Sequence, residues 1–417
     1  MPSSAFSSPT TWPEGRAMLL RLDQALALID QTFAPVAATR RVALHEAAGA
    51  ILAEAVAALA PLPLADNAAV DGYALRAADS AAGPAGFAVI GRAAAGRPFA
   101  GTLGPGEAVR IFTGAVVPAG ADTVVMQEVA VTLEAGRVTL PAALRPGANI
   151  RRQGETLAPG AAVLAPGAVL TPLRLGLLAD LGHAEVAVRL PLRVALLSSG
   201  DELVAVGTKP QAHQVIDSNR PMLRALLAQA GCIVNEYPIQ PDDRATIAAT
   251  LGTAARAHDL IVTTAGMSVG GEDHVRAILE AQGRVIFQRL ALRPGRPVGL
   301  GLLGGAPVLG LPGNPGAAAV AFLLIGRPLL RRLGGAMPAS LPRVTLAAGF
   351  TWAKPAGDRV YLPGRVTGGT VRRLAHNAAS NLVWAAEADG LIDLPEAAQA
   401  IEPGTPVAFI PFAGAWP

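Results

Sequence analysis

The sequence predicts a multidomain fold of the α/β plus β class, on three observations. The chain has 417 residues, about 2.8 times a roughly 150-residue domain, so two to four domains are expected and a single small module is excluded. Between Arg193 and Ile325, short apolar runs alternate with stretches of helical period, the pattern of a mostly parallel sheet covered on both faces. On either side, residues 62–146 and 338–417 break into short β-rich runs separated by Gly/Pro turns.

In order, Leu19, Leu22, Ala25, Leu26 and Ile29 recur at helical spacing over Met18 to Ile29, and a second helical stretch is expected from Ala43 to Val56. Ala108 to Phe112, Thr123 to Gln127 and Gly136 to Leu140 read as strands of a small β domain. Thr171 followed by Pro172 opens a helix to Gly182. Strand Arg193 to Ser198, helix Pro221 to Ala230, strand Ile233 to Pro238, helix Arg244 to Ala257, strand Leu260 to Thr264 and helix Asp273 to Gln282 follow. Val298 to Leu302 and Pro307 to Leu311 flank a Gly-Gly turn, and Asn314-Pro315 caps and starts a helix over Gly316 to Ile325. Arg343 to Ala347, Leu391 to Leu394 and Pro406 to Pro411 are strands of a C-terminal β domain.

Composition narrows the classes. Mean hydropathy is +0.40 with 51% hydrophobic residues, and no charge occurs between Arg296 and Arg327, a run long enough to raise a membrane-spanning helix. Pro297, Pro307, Pro312 and Pro315 and the glycines from Gly299 to Gly316 interrupt it, so it reads as buried core with tight turns, and no membrane partner is expected. The Ser/Pro-rich opening from Met1 to Arg16 reads as a disordered leader without a signal peptide, which implies a cytoplasmic location. Cys232 is the single cysteine, which excludes a disulfide scaffold and reads as a buried structural thiol. Net charge is +3 although the isoelectric point is about 9.5, because few groups titrate between neutrality and the lysine range. Basic clusters are short and lack interleaved aromatics, which suits small anions and excludes a nucleic-acid partner.

Four constellations carry chemistry. The loop Thr263 to Asp273, with Gly266, Ser268, Gly270 and Gly271, follows a strand and precedes a helix, where glycines let the backbone approach an anion and free N–H groups meet it; an ordinary turn capped by Asp273 is the alternative. Ser199-Gly200-Asp201-Glu202, Asp217-Ser218-Asn219 and Asp242-Asp243 place acids after successive strands of one sheet, a donor set for Mg²⁺ with phosphate oxygens, or separately a set of solvated caps. In Arg293-Pro294-Gly295-Arg296 a Pro-Gly turn aims two guanidinium groups at one place, as oxyanion recognition requires, unless both are simply solvated. The fourth is Asp66 to Ala74 with Phe112-Thr113-Gly114-Ala115, turns bearing a carboxylate and a hydroxyl.

These strings, with Glu46-Ala47-Ala48-Gly49, Ala121-Asp122, Gln127-Glu128, Arg151-Arg152-Gln153-Gly154-Glu155 and Gly310-Leu311-Pro312-Gly313-Asn314-Pro315, resemble the molybdopterin molybdenumtransferase family. They run in the family's order from about Leu22 to the C-terminus. With the leader taken as 1–15, the resemblance implies an elongated first domain over 16–61 plus 147–190, and a small β domain inserted at 62–146. It also implies a three-layer α/β molybdopterin-binding domain over 191–335 and a β-barrel-like domain over 336–417. The implied reaction takes adenylylated molybdopterin and molybdate to molybdenum cofactor and AMP, with Mg²⁺, in a homodimer. The molybdopterin adenylyltransferase and molybdoenzyme chaperones are implied as further candidate partners.

Carried over by residue, the resemblance assigns Asp273 to hydrolysis of the adenylyl phosphoanhydride, and Glu202 and Asp242 to Mg²⁺ or the nucleotide. Asp71 and Thr113 match positions facing the cleft of the other subunit. Arg293 and Arg296 match two lysines of the molybdate site, Arg359 a further oxyanion-binding arginine, and Ser380 a serine. Ser199, Gly200, Gly266, Ser268, Gly270, Pro312 and Asn314 complete the substrate-binding set. Both lysines are arginine here, Thr156 replaces an acid, Ala265 a common glycine and Ala317 a common serine. These departures motivate the alternatives of a paralogue using tungstate or another pterin nucleotide, and of a non-catalytic scaffold.

Overall fold

A computed structural model describes residues 19–81, 85–133, 136–265, 274–354, 356–375 and 379–416. The expected leader, 1–15, lies outside the described residues. The chain divides into two compact units, one formed by the chain up to Arg40 together with Arg189 onward, the other by Arg41–Val188.

The first unit begins with helix α1 (Leu22–Thr32), which buries Leu22, Ala25 and Ile29 at helical spacing. In the second unit, six strands form one sheet: β1 (Gly72–Leu75), β2 (Ala85–Ala93), β3 (Glu107–Ile111), β4 (Thr123–Met126), β5 (Val131–Leu133) and β6 (Arg137–Leu140), in the order β4-β1-β3-β2-β6-β5. Only β2 and β3 run parallel. Helix α2 (Pro172–Asp180) starts as its sequence predicts, with Thr171 Oγ1 accepting the Arg174 N–H at 3.5 Å and Pro172 in the first turn.

The expected helix from Ala43 to Val56 does not form. Leu44–Glu46 makes one 3-10 turn and Val56–Ala57 is a strand paired with Ala162–Leu164. Gly49 adopts φ 74°, and its N–H donates to Leu170 O at 2.9 Å while the Leu52 N–H donates to Ala168 O at 2.9 Å. Partners more than a hundred residues away in sequence take the backbone groups that an amphipathic pattern assigned to a helix.

The α/β core lies in the first unit. Strands β7 (Arg193–Ser198), β8 (Ile233–Glu236), β9 (Leu260–Thr264), β10 (Gly283–Gln288), β11 (Gly299–Leu303) and β12 (Ala306–Leu311) line up as β8-β7-β9-β12-β11-β10. The first four are parallel; β10 and β11 add antiparallel edges. Val194 and Leu196 of β7 face helix α3 (Asn219–Gln229), whereas Ala195 and Leu197 face helices α4 (Arg244–Ala257) and α5 (His274–Gln282). Alternate side chains thus enter opposite cores, and the three layers follow. The uncharged run becomes β11, β12 and helix α6 (Pro315–Ala321), where nearly every residue is buried.

The helix predicted to stop at Ile325 continues through a π turn, Phe322–Gly326, into α7 (Arg327–Gly334). Pro328 has no N–H to give the carbonyl four residues back, and a widened turn carries the chain past it. C-terminal strands β13 (Val344–Ala348), β14 (Arg359–Thr367), β15 (Thr370–Arg373), β16 (Gly390–Leu394) and β17 (Pro406–Pro411) close into a five-stranded barrel, because β14 pairs with both β15 and β16. The two-residue strand Leu292–Arg293 joins β14 in parallel register.

Candidate active site

Parallel register brings the loop-bearing strand ends abreast. Ser198 pairs with Thr264, and Thr264 with Leu311, so Ser199, Ala265 and Pro312 begin three loops on one edge of the sheet. This is where ligands bind in open α/β sheets. Asn219, at the start of α3, donates to Gly313 O at 2.7 Å. Among the described residues, its buried Oδ1 and the buried Ser198 hydroxyl have no hydrogen-bond partner. A cavity of about 440 Å³ opens along the same region, lined by Val206, Asp217, Arg220, Pro221, Pro238 and Ile239 among others. Gly266, Ser268, Gly270 and Asp273 lie outside the described residues. Ala265, the residue before them, has φ 69°, the left-handed conformation that a glycine adopts without cost.

The acids at this edge meet in a specific pairing. Asp201 and Asp242 interlock, the Asp242 N–H donating to Asp201 Oδ1 at 3.1 Å and the Asp201 N–H to Asp242 Oδ2 at 3.3 Å. Glu202 instead folds back over Gly200, where an added Cβ would lie 2.4 Å from Glu202 Oε2. Asp243 caps α4 through Thr246, its Oδ2 accepting the backbone N–H at 2.7 Å and the hydroxyl at 2.6 Å, which holds its carboxyl below the usual range. Among the described residues no three His, Cys, Asp or Glu side chains gather as a metal cage. Among the described residues the Asp201 and Asp242 carboxylates each keep one oxygen without a hydrogen bond, a pair that suits Mg²⁺, which binds through one or two carboxylates plus substrate phosphates.

The arginine turn forms a second centre. Arg296 O accepts the Leu290 N–H at 2.9 Å, which closes the turn, and Gly295 sits at φ 109° against Ala317 and Ala321 of α6. The Arg359 N–H donates to Ala291 O at 2.9 Å, locking the turn to the barrel. The two guanidiniums do converge: Arg293 Nε reaches Asp358 Oδ2 at 2.5 Å and Arg296 Nη2 reaches the same oxygen at 2.6 Å. Arg359 grips Asp393 with two bonds of 2.7 and 2.8 Å, and Arg343 shares that carboxylate at 3.1 Å. Asp393 is fully buried, and its hydrogen bonds hold Arg359 above the ordinary arginine range. Lys354 Nζ donates to Asp358 O at 2.8 Å and Glu396 O at 3.2 Å; partial burial lowers its ammonium despite Asp358 and Glu396 nearby. Among the described residues, Arg293, Arg296, Arg343, Lys354 and Arg359 therefore face Asp358, Asp393 and Glu396, a surplus of two positive charges.

Helix α6 links the two centres. Its expected Asn314 side-chain cap is absent; the Gly316 N–H donates to Ala379 O at 2.9 Å instead. A Cβ on Gly316 would fall 2.9 Å from the Ala379 and Asn381 carbonyls, a separation real side chains do not tolerate. That contact sets Ser380 beside the start of α6. Asp358, Asp393, Lys354 and Glu396 escaped the sequence reading; the one available signal was an acid inside the apolar strand Gly390-Leu391-Ile392-Asp393-Leu394.

In the second unit, Asp71 Oδ1 accepts the Thr113 N–H at 2.8 Å and the Thr113 hydroxyl at 2.7 Å, which holds the Asp71 carboxyl below its usual range. The two residues singled out from separate motifs thus form one exposed pair. Burial pushes the Cys232 thiol up to about 12, in keeping with a structural thiol.

Comparison with known proteins decides the family. Residues 20–182 match the MoeA N-terminal region (domain I and II), 195–332 the probable molybdopterin binding domain, and 345–412 the MoeA C-terminal region (domain IV). The molybdopterin molybdenumtransferase of Haemophilus influenzae is 40% identical over 76% of this chain and 78% of its own length. Molybdopterin molybdenumtransferase 2 of Mycobacterium tuberculosis is 38% identical over 87% of this chain and 93% of its own. The chain belongs to the molybdopterin molybdenumtransferase family. A crystal structure of the molybdopterin biosynthesis MoeA protein from Pyrococcus horikoshii OT3, 25% identical, superposes with a TM-score of 0.79 over 94% of this chain and 100% of that one. The expected multidomain α/β plus β class, with its closed C-terminal barrel, stands on this likeness and on the strand pairings.

Proposed function

We propose that this chain is a molybdopterin molybdenumtransferase, a transferase of molybdenum cofactor biosynthesis that takes adenylylated molybdopterin and molybdate to molybdenum cofactor and AMP. Relatives of that name at 34 to 40% identity support the reaction class. The observation that carries it to this chain's own residues is the corner where Arg293 and Arg296 converge beside Arg359 with two positive charges in surplus. Guanidinium forks recognise tetrahedral oxyanions, and a dianion matches that surplus.

In this reading the pterin phosphate lies on the loops that begin at Ser199, Ala265 and Pro312, with Gly200, Gly266, Ser268, Gly270 and Asn314 offering backbone N–H groups. The apolar wall of Pro221, Pro238 and Ile239 suits the adenosine end. Asp242 and Glu202, with Asp201 hydrogen-bonded to Asp242, would hold Mg²⁺, whose chemistry when bound is to neutralise phosphate charge. Asp273 assists hydrolysis of the phosphoanhydride, Arg359 and Ser380 complete the oxyanion corner, and the chain acts as a homodimer in which Asp71 and Thr113 serve the other subunit. A cytoplasmic location accords with the substrates, and no described helix is long and apolar enough to cross a membrane.

The test is turnover: purified protein with adenylylated molybdopterin should release AMP in step with added molybdate. Arg296→Ala should lower kcat/KM for molybdate about a hundredfold, the scale of one lost charge-assisted bond pair. AMP release that is absent, or indifferent to molybdate, overturns the reading.

A further inference from the structure

The oxyanion corner already contains an anion of the chain's own. Asp358 Oδ2 receives Arg293 Nε and Arg296 Nη2 at 2.5 and 2.6 Å, so one oxygen occupies the point at which both forks aim. Its position differs from that of Asp393. Asp393 has no exposed surface and spends both oxygens on Arg359 and Arg343, as a fixed structural counter-ion does. Among the described residues Asp358 is engaged through a single oxygen; it keeps 16% of its side chain exposed and holds arginines that are themselves 56% and 33% exposed. Solvent therefore reaches the pair, and an incoming anion can exchange with the carboxylate. The Asp358 backbone is independently fixed, its carbonyl bonded to Lys354 Nζ and the next residue's N–H to Ala291 O. Only the side chain has to leave.

We propose that Asp358 is an intramolecular competitor for the oxyanion: in the free protein its carboxylate occupies the point at which Arg293 and Arg296 aim, and it surrenders both to a tetrahedral dianion. The inference rests on the corner being the oxyanion site. A fixed brace and a competitor differ in sign. Removing a brace loosens the arginines and weakens anion binding; removing a competitor frees two charged donors already aimed at one point and strengthens it.

Calorimetric titration of the full-length protein with sodium molybdate separates them. Asp358→Asn keeps the shape and loses the charge, and Asp358→Ala removes the competitor altogether; each should lower the molybdate Kd about tenfold, the size of one net charge-assisted contact. Unchanged or weaker binding in the folded variants overturns the proposal while leaving the oxyanion site in place. Absence of molybdate binding in the wild type and both variants overturns the site reading, and the proposal with it. A crystal of wild-type protein soaked in molybdate decides without any variant. The Asp358 side chain is expected off both arginines, and anion bound at the corner with Asp358 unmoved contradicts the proposal.

Discussion

Arg293 and Arg296 were legible in sequence because a Pro-Gly turn brings neighbours together locally, and Asp71 and Thr113 because the family motifs carry them. Their acidic partners were not legible. Asp358 lies 65 residues from Arg293 and 62 from Arg296, and Asp393 lies 34 from Arg359, distances at which only the closed barrel creates contact. The buried carboxylate of Asp393 gives a prediction at this scale. It neutralises two arginines in a water-poor site, so Asp393→Asn leaves those charges underpaired and should cost about 3 kcal/mol of stability. Chemical denaturation measures it; an unchanged midpoint would remove Asp393 from the barrel's ion-pair network.

At the scale of elements, most strands and helices of the α/β core were read to within a few residues because each is short, apolar and bounded by caps, whereas the edge strand β10, with Arg284 and Gln288 among its apolar residues, was missed. Arg244–Ala257 and Leu260–Thr264 fall where the periodicity puts them. Residues 43–56 failed because tertiary strand partners outweighed a helical pattern, and the helix beyond Ile325 was cut short because a π turn accommodates Pro328 without ending the rod. The departure at Ala265 now has a physical meaning: φ 69° costs an alanine what it does not cost a glycine. Ala265→Gly should raise stability by roughly 1 kcal/mol, offset in part by the freer unfolded chain. A melting temperature that falls in this variant would show that the loop depends on the methyl group.

At the scale of the molecule, the positive mean hydropathy and the silent run after Arg296 resolve into buried β11, β12 and α6, the helix lying against the arginine turn through Ala317 and Ala321. The small basic excess matters through its place, with a surplus of two charges gathered where the α/β sheet meets the barrel. Diffraction at the molybdenum absorption edge from crystals soaked in molybdate locates the oxyanion without reference to turnover. An anomalous peak is expected within hydrogen-bonding reach of Arg293, Arg296 and Arg359, weakened or lost in Arg296→Ala. A peak found only elsewhere would contradict this placement.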